Sequence, residues 1–262
     1  MTRTPRIAIV GGGVGGLAAA LALERHRAEI VICEQSPALN EIGAGLNLSP
    51  NAVMAFRALG VEDAVIARGS ESDFMVIRNW KSGRIISRMR RGAFRQQFGA
   101  PNLTVHRADL LDVLRRALKT VDLRLGARCI AVEAYDRGAV ARLADGGEIE
   151  ADIIVGADGI HSVVRESVFG PDAPRFTGCI CWRGMATASA VPRDIAIAEG
   201  AMWMGPHGHV VHYPVRRGEL INIVAHFDSD SWTEESWTRE CDVSELMTSY
   251  AGWHPDLLSL YP

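Results

Sequence analysis

Four apolar residues in a row, Ile7, Ala8, Ile9 and Val10, run into Gly11-Gly12-Gly13-Val14-Gly15-Gly16 and then into the alanine-rich stretch Leu17 to Leu23. An unbroken apolar run of that length predicts a strand covered on both faces, and the stretch after the glycines predicts a helix. Glu29 to Cys33 predicts a second strand, which ends at Glu34. Ser49-Pro50-Asn51 supplies an N-cap and a first-turn proline for a helix that Gly60 stops. Asp73 to Trp80 and Arg84 to Met89, joined by Lys81-Ser82-Gly83, read as an antiparallel hairpin. Leu103 to His106 then leads into an amphipathic helix, Ala108 to Lys119, with Leu110, Leu111, Leu114 and Leu118 at helical spacing.

From Asp122 to Glu150 the alternation and the turn signals Asp136-Arg137-Gly138 and Asp145-Gly146-Gly147 predict a small antiparallel meander. Asp152 to Val155 is another short apolar run, expected to rejoin the parallel sheet before Gly156-Ala157-Asp158-Gly159 and a helix from Ser162 to Phe169. Past Gly170-Pro171 the pattern changes to strands at Phe176 to Ala188, Ala201 to Met204, His209 to Val215 and Glu219 to Asp228. With residues 73 to 89 these predict one antiparallel sheet, and the tail reads as a helix from Val243 to Ala251 and a turn at His254-Pro255. The whole is an α/β pattern, with a parallel sheet first and an antiparallel sheet after it.

Composition narrows this little. With 262 residues, 48% hydrophobic and 6% aromatic content, the chain has material for one large or two small domains. The net charge of -3 and the scatter of basic residues argue against a nucleic-acid footprint; the cluster Arg88, Arg90, Arg91 and Arg95 reads as a solvated loop. Five cysteines without a C-x-x-C pair suggest neither a disulfide framework nor zinc, and Cys179 and Cys181, on one face of a strand, read as buried thiols. A strand beginning almost at the N-terminus leaves no room for a signal peptide, so the expected location is cytoplasmic. The apolar stretch 7 to 23 holds five glycines and suits a buried strand-turn-helix better than a membrane span.

Gly11, Gly13 and Gly16 fit the spacing G-x-G-x-x-G. The first permits the tight turn, the second lets a phosphate approach the backbone, and the third lets helix and strand pack closely, with helix N–H groups aimed at the anion. Glu34 can accept from both hydroxyls of an adenosine ribose and would repel a 2′-phosphate, so FAD or NAD fits and NADP does not. The bare alternative is a glycine turn that only packs a helix on a strand. Arg107, at a helix start where positive charge is unfavourable, suggests an anion nearby. Asp158 sits where a ribose or ribityl hydroxyl could be gripped, or else in a plain turn. A metal site at His207, His209 and His212 is the poorer reading, because no carboxylate or cysteine accompanies them and His212 faces the other way.

Together, these motifs resemble one family, the FAD-dependent single-component aromatic hydroxylases, which includes salicylate, 3-hydroxybenzoate and 6-hydroxynicotinate hydroxylases. Gly11 to Gly16 with Glu34 resembles its adenosine-diphosphate fingerprint, and Glu41 to Asn51 its flavin-side loop. Val105 to Leu110 resembles the segment whose arginine touches the flavin, and Gly156 to Arg165 resembles its Asp-Gly motif. The resemblance implies a Rossmann-like FAD-binding domain (1–72 and 101–170) with an inserted antiparallel-sheet substrate domain (73–100 and 171–262). It also implies hydroxylation of a phenolic aromatic acid with NADH or NADPH and dioxygen through a flavin hydroperoxide. The cofactor set it implies is Gly11, Gly13, Val14, Gly15, Gly16, Glu34, Gln35, Arg107, Asp158 and Gly159. His209 and Tyr213, four apart in His209-Val210-Val211-His212-Tyr213-Pro214, resemble the substrate-side pair and share one strand face. No nucleic-acid or membrane partner is implied, and a homodimer is left open. The family's later Gly-Asp-Ala-Ala-His-Pro motif does not occur, so the chain is expected to correspond to the first two-thirds of a hydroxylase, the alternative being a non-catalytic nucleotide-binding module.

Overall fold

The computed structural model describes residues 3–39, 44–192, 195, 199–230 and 240–261. Among them the chain runs β1 (Arg6–Val10), α1 (Val14–Glu24), β2 (Glu29–Glu34), β3 (Gly45–Leu48), α2 (Pro50–Leu59), α3 (Glu62–Arg68), β4 (Ser70–Glu71), β5 (Phe74–Asn79) and β6 (Ile85–Arg90). It continues through α4 (Phe94–Phe98), β7 (Leu103–His106), α5 (Arg107–Ala117), β8 (Asp122–Leu125), β9 (Cys129–Tyr135), β10 (Gly138–Leu143), β11 (Glu148–Ala151), β12 (Ile153–Gly156) and α6 (Val163–Phe169). The rest is β13 (Cys179–Thr187), β14 (Gly200–Gly205), β15 (Gly208–Val215), β16 (Leu220–Asp228), α7 (Val243–Ser249) and α8 (Pro255–Leu258). Two compact units result, Met1–Asn40 with Leu110–Arg175 and Glu41–Asp109 with Phe176–Pro262.

In the first unit β12, β1, β2 and β8 form a parallel sheet in that order. Ile7 to Val10 and Ile30 to Cys33 are buried, as central strands covered on both faces must be. Helix α1 buries Gly16, Leu17, Ala20 and Leu21. The antiparallel sheet β11-β10-β9 packs Ala141, Leu143, Ile149 and Ala151 against Ala8, Val10, Val31 and Cys33. One expectation is corrected: Asp122 to Leu125 does not open the meander but pairs parallel with β2. Its alternation of wet and dry positions suits an edge strand of either direction, so the pattern could not decide.

In the second unit β13, β16, β15, β14, β5 and β6 form one mixed sheet, beside a small antiparallel sheet β3-β7-β4. The larger sheet is antiparallel except where β14 runs parallel to β5, a departure from the all-antiparallel expectation. Tight turns dictate antiparallel neighbours, but β5 and β14 are joined by a long stretch of chain that leaves direction free. On one face Trp203, Val210, Ile221, Ile223 and Ala225 pack against Leu246, Tyr250, Trp253 and Leu257 of the tail. Cys179 and Cys181 are exposed, not buried, because β13 is the sheet's margin. The arginine cluster is largely solvated, as expected, but it is not a loop: Arg88 and Arg90 lie on the exposed strand β6 and Arg95 in α4. Arg88 lies on β6 over the Phe74 ring and pairs with Glu199, Arg95 pairs with Glu71, and Arg91 donates to Asn102 at 2.9 Å. No helix among the described residues is long and apolar enough to cross a membrane.

Candidate functional site

At the carboxyl end of β1 the chain makes its glycine turn with Gly11 at φ +104°, a conformation L side chains rarely adopt. A Cβ on Gly11 would lie 2.3 Å from the Ala157 carbonyl oxygen, and one on Gly16 would lie 1.9 Å from the Gly11 carbonyl oxygen. Both positions therefore require glycine for packing alone. Gly13 is the N-cap of α1, in extended conformation and without a capping side chain, and Val14 begins the helix. Gly15 is different: an added Cβ would meet nothing within 4 Å. Nothing in the packing asks for glycine there.

Glu34, ending β2, turns its carboxylate to this turn. Oε2 accepts from the Gly12 amide at 2.6 Å and Oε1 from the Ser36 amide at 2.8 Å. Such charge-assisted bonds are worth roughly 1.5–3 kcal/mol each. Gly12, outside the fingerprint spacing, is the residue that brings the acid in, since its Cβ would lie 2.9 Å from that of Glu34. Gln35 follows, exposed.

The second strand-turn-helix sits alongside. The Ala157 amide donates to the Val10 carbonyl at 2.7 Å, and Gly159 turns the chain at φ +78°. Asp158 is occupied locally: Oδ1 accepts from Ser162 Oγ at 2.6 Å and Oδ2 from the Val164 amide at 3.2 Å, while Ser162 Oγ caps α6 through the Arg165 amide at 2.9 Å. A carboxylate has about four acceptor positions, so two remain. The first unit thus brings Gly11 to Gly16, Glu34, Asp158 and Gly159 to the carboxyl ends of β1, β2 and β12, where α/β sheets bind their ligands.

In the second unit Arg107 is the first residue of α5, not the residue before it, and its amide donates to the Ala44 carbonyl at 2.8 Å. Asp109 in the same turn supplies an acid to the helix start and is held by Arg216 at 2.8 and 2.9 Å. His106 is buried, its Nδ1 accepts from the Ala108 amide, and burial followed by the charge of Arg216 pushes its pKa down. Glu41 to Gly43 of the expected flavin-side loop lie outside the described residues.

Strand register assembles the rest. His209 and Tyr213 stand on one face of β15, opposite His226 and Asn222 of β16. The His209 and His226 rings stack at 4.5 Å, 20° from parallel. Burial, then the charges of His209 and Arg183, push the His226 pKa down. Tyr213 is buried, and that burial raises its phenol to about 12, with Arg183 opposing. Asn222 is completely buried; its Oδ1 accepts from the Gly45 amide at 2.7 Å, and its Nδ2 has no partner. An unpaired buried donor costs roughly 1–3 kcal/mol. His212 faces the opposite side, where Trp203 Nε1 donates to its Nε2 at 3.1 Å and burial with the nearby Arg78 charge pushes it down to about 4. The sequence reading missed Gly12, Asn222 and His226. Counting back from the turn at Arg216-Arg217-Gly218 places the last two opposite Tyr213 and His209.

The profile of the FAD binding domain family matches residues 4–251, and the chain belongs to that family. It is 36% identical to 3-amino-4-hydroxybenzoate 2-monooxygenase PtnB3 of Streptomyces platensis, over 99% of this chain and 65% of the relative. It is 38% identical to 3-hydroxybenzoate 6-hydroxylase of Polaromonas naphthalenivorans, over 97% of this chain and 64% of that one. Its fold matches that of a single-substitution variant of Klebsiella pneumoniae HpxO complexed with FAD, with a TM-score of 0.84 at 24% identity, over 98% of this chain and 65% of that one. The chain spans about 65% of the length of these proteins.

Proposed function

We infer that the chain belongs to an FAD-dependent monooxygenase that hydroxylates a phenolic aromatic acid with NADH or NADPH and dioxygen, in the cytoplasm. The overall reaction inserts one oxygen atom into an aromatic C–H bond and reduces the other to water with the nicotinamide hydride and a proton. The observation that carries this reading is Glu34 Oε2 at 2.6 Å from the Gly12 amide, which sets an acid suited to a ribose beside a glycine turn suited to a diphosphate.

The residues suit the adenosine diphosphate. Gly11 and Gly16 leave no space for a Cβ, whereas Gly15 leaves it open, and α1 begins without an acidic side chain in its first turn. We assign Gly11, Gly13, Val14, Gly15 and Gly16 to the diphosphate, Glu34 and Gln35 to the adenosine side, Asp158 and Gly159 to the hydroxyl-bearing chain, and Arg107 to the flavin side. The functional division into 1–72 with 101–170 for the cofactor and 73–100 with 171–262 for the substrate is part of the same proposal. FAD, when bound, supplies the hydride-accepting and dioxygen-activating chemistry.

Electrophilic attack on the ring is helped when the substrate phenol ionises. Tyr213 is buried and keeps its proton, so it donates a hydrogen bond to the phenolate oxygen, and His209 on the same face takes the released proton. The relatives named 3-hydroxybenzoate 6-hydroxylase and 3-amino-4-hydroxybenzoate 2-monooxygenase support an aromatic acid. The test is purification with FAD, followed by NADH consumption and product analysis across a panel of hydroxybenzoates. A yellow protein whose NADH consumption and hydroxylated product depend on one of them supports the reading. A colourless protein that takes up no FAD overturns it.

A further inference from the structure

We propose that Asn222 is a positioning residue: its buried side chain fastens the start of β3 against Tyr213, so that the strand end gripped by Arg107 and the substrate-side tyrosine hold one fixed separation. The proposal rests on the reading of Tyr213 as a substrate contact.

Three observations meet at one point of the second unit. The Gly45 amide, at the first residue of β3, donates to Asn222 Oδ1 at 2.7 Å instead of to a neighbouring strand. Asn222 stands directly opposite Tyr213 in the β15–β16 register, on the same face. A Cβ on Gly45 would lie 2.6 Å from Asn222 Cγ and 2.7 Å from Tyr213 Cε2, so backbone, amide and phenol ring are in contact with no methyl-sized slack. One residue earlier, the Ala44 carbonyl accepts from the Arg107 amide. A continuous path therefore leads from Arg107 through Ala44 and Gly45 to Asn222 and Tyr213.

Packing alone does not call for asparagine here. Leucine has the same branching, though it is bulkier, and the unpartnered Nδ2 is a donor that an apolar side chain would spare. What leucine lacks is the acceptor for Gly45. The amide thus does at this position what no hydrophobic residue can, and fixes a main-chain segment of β3 to a side-chain row of the larger sheet.

The experiment compares the parent chain with Asn222→Leu and Asn222→Asp, with Tyr213 carrying a 3-fluorotyrosine label. In Asn222→Leu the Gly45 amide should exchange with deuterium at least tenfold faster, and the fluorine resonance of residue 213 should shift and broaden. Asn222→Asp keeps an acceptor and should restore most of the Gly45 protection. In FAD-loaded protein, Asn222→Leu should lower kcat per bound flavin about tenfold and change KM by less than threefold. If Asn222→Leu does not fold, Gly45→Ala replaces it; the added methyl should displace the fluorine resonance, and Asn222→Ala in the same chain should relieve that displacement. Unchanged Gly45 exchange in Asn222→Leu, or an unmoved fluorine signal in both Asn222→Leu and Gly45→Ala, overturns the proposal. Hydroxylation by Tyr213→Phe is measured separately: full activity there removes the tyrosine's substrate role and leaves the exchange result to judge the clamp as a structural device.

Discussion

The glycine turn of the first unit and the Tyr213 face of the second are built in opposite ways. The turn is made of backbone: amides, carbonyls and missing side chains, with the charged group of Glu34 drawn into it. The Tyr213 face is made of side chains set in rows by strand register, and its backbone is spent on the ladder. A backbone site is intolerant of an added atom wherever main chain lies in its path, as at Gly11 and Gly16, because the groups it would strike cannot move. A side-chain site tolerates change in shape and is sensitive to change in chemistry.

The sharpest way to break that contrast is Gly16→Ala. A Cβ 1.9 Å from the Gly11 carbonyl must displace main chain, at a cost of about 3 kcal/mol or more. Denaturant melts should show that loss, and the protein should not retain flavin absorbance. Acid comes next and acts on the second unit. His212, held at about 4 in the folded chain against 6.5 for an exposed imidazole, is neutral when folded and protonated when unfolded between those values. Its contribution is complete above pH 6.5 and is lost as the pH falls to 4, by about 3 kcal/mol in all. Unfolding measured from pH 7 to 4 should steepen accordingly, and His212→Phe should flatten the slope. Tyr213→Phe leaves shape nearly unchanged and removes one hydroxyl; hydroxylation per bound flavin should fall at least tenfold, about 1.4 kcal/mol in the barrier, with thermal stability within a few degrees of the parent. The smallest effect separates fold from ligand within the turn itself. Gly15→Ala meets open space and should stabilise the chain by about 0.5 kcal/mol, yet, on the proposed assignment of Gly15 to the diphosphate, FAD titration should show weaker binding.

The same contrast decides how far the molecule could be read from its residues. Gly11 and Gly16 were legible because a tight turn and a helix packed on a strand leave no other residue type at those positions, and the nearness of Glu34 to the turn because it closes the neighbouring strand. The hairpin at Lys81-Ser82-Gly83 and the stop at Gly60 were legible for the same local reason; Gly60 does take φ +76°. Asn222 and His226 were not, since a strand pattern says which face a residue takes but not what stands beside it until register is known. Cys179 and Cys181 were assigned to one face correctly and to the interior wrongly, because only sheet order shows that β13 is a margin. Asp158 shows a further limit. A turn aspartate reads alike whether its oxygens meet a ligand or cap the next helix, and here two of its acceptor positions go to Ser162 and Val164.

The depth at which the Tyr213 phenol lies has a kinetic corollary. Because it surrenders its proton only near pH 12, it is spectroscopically and kinetically mute over the range in which enzymes are assayed. If the substrate is a phenol, as proposed, an alkaline limb between roughly pH 8 and 10 that slides along the axis when substrates of different acidity are exchanged belongs to the substrate's hydroxyl, and one that stays fixed belongs to another group of the chain.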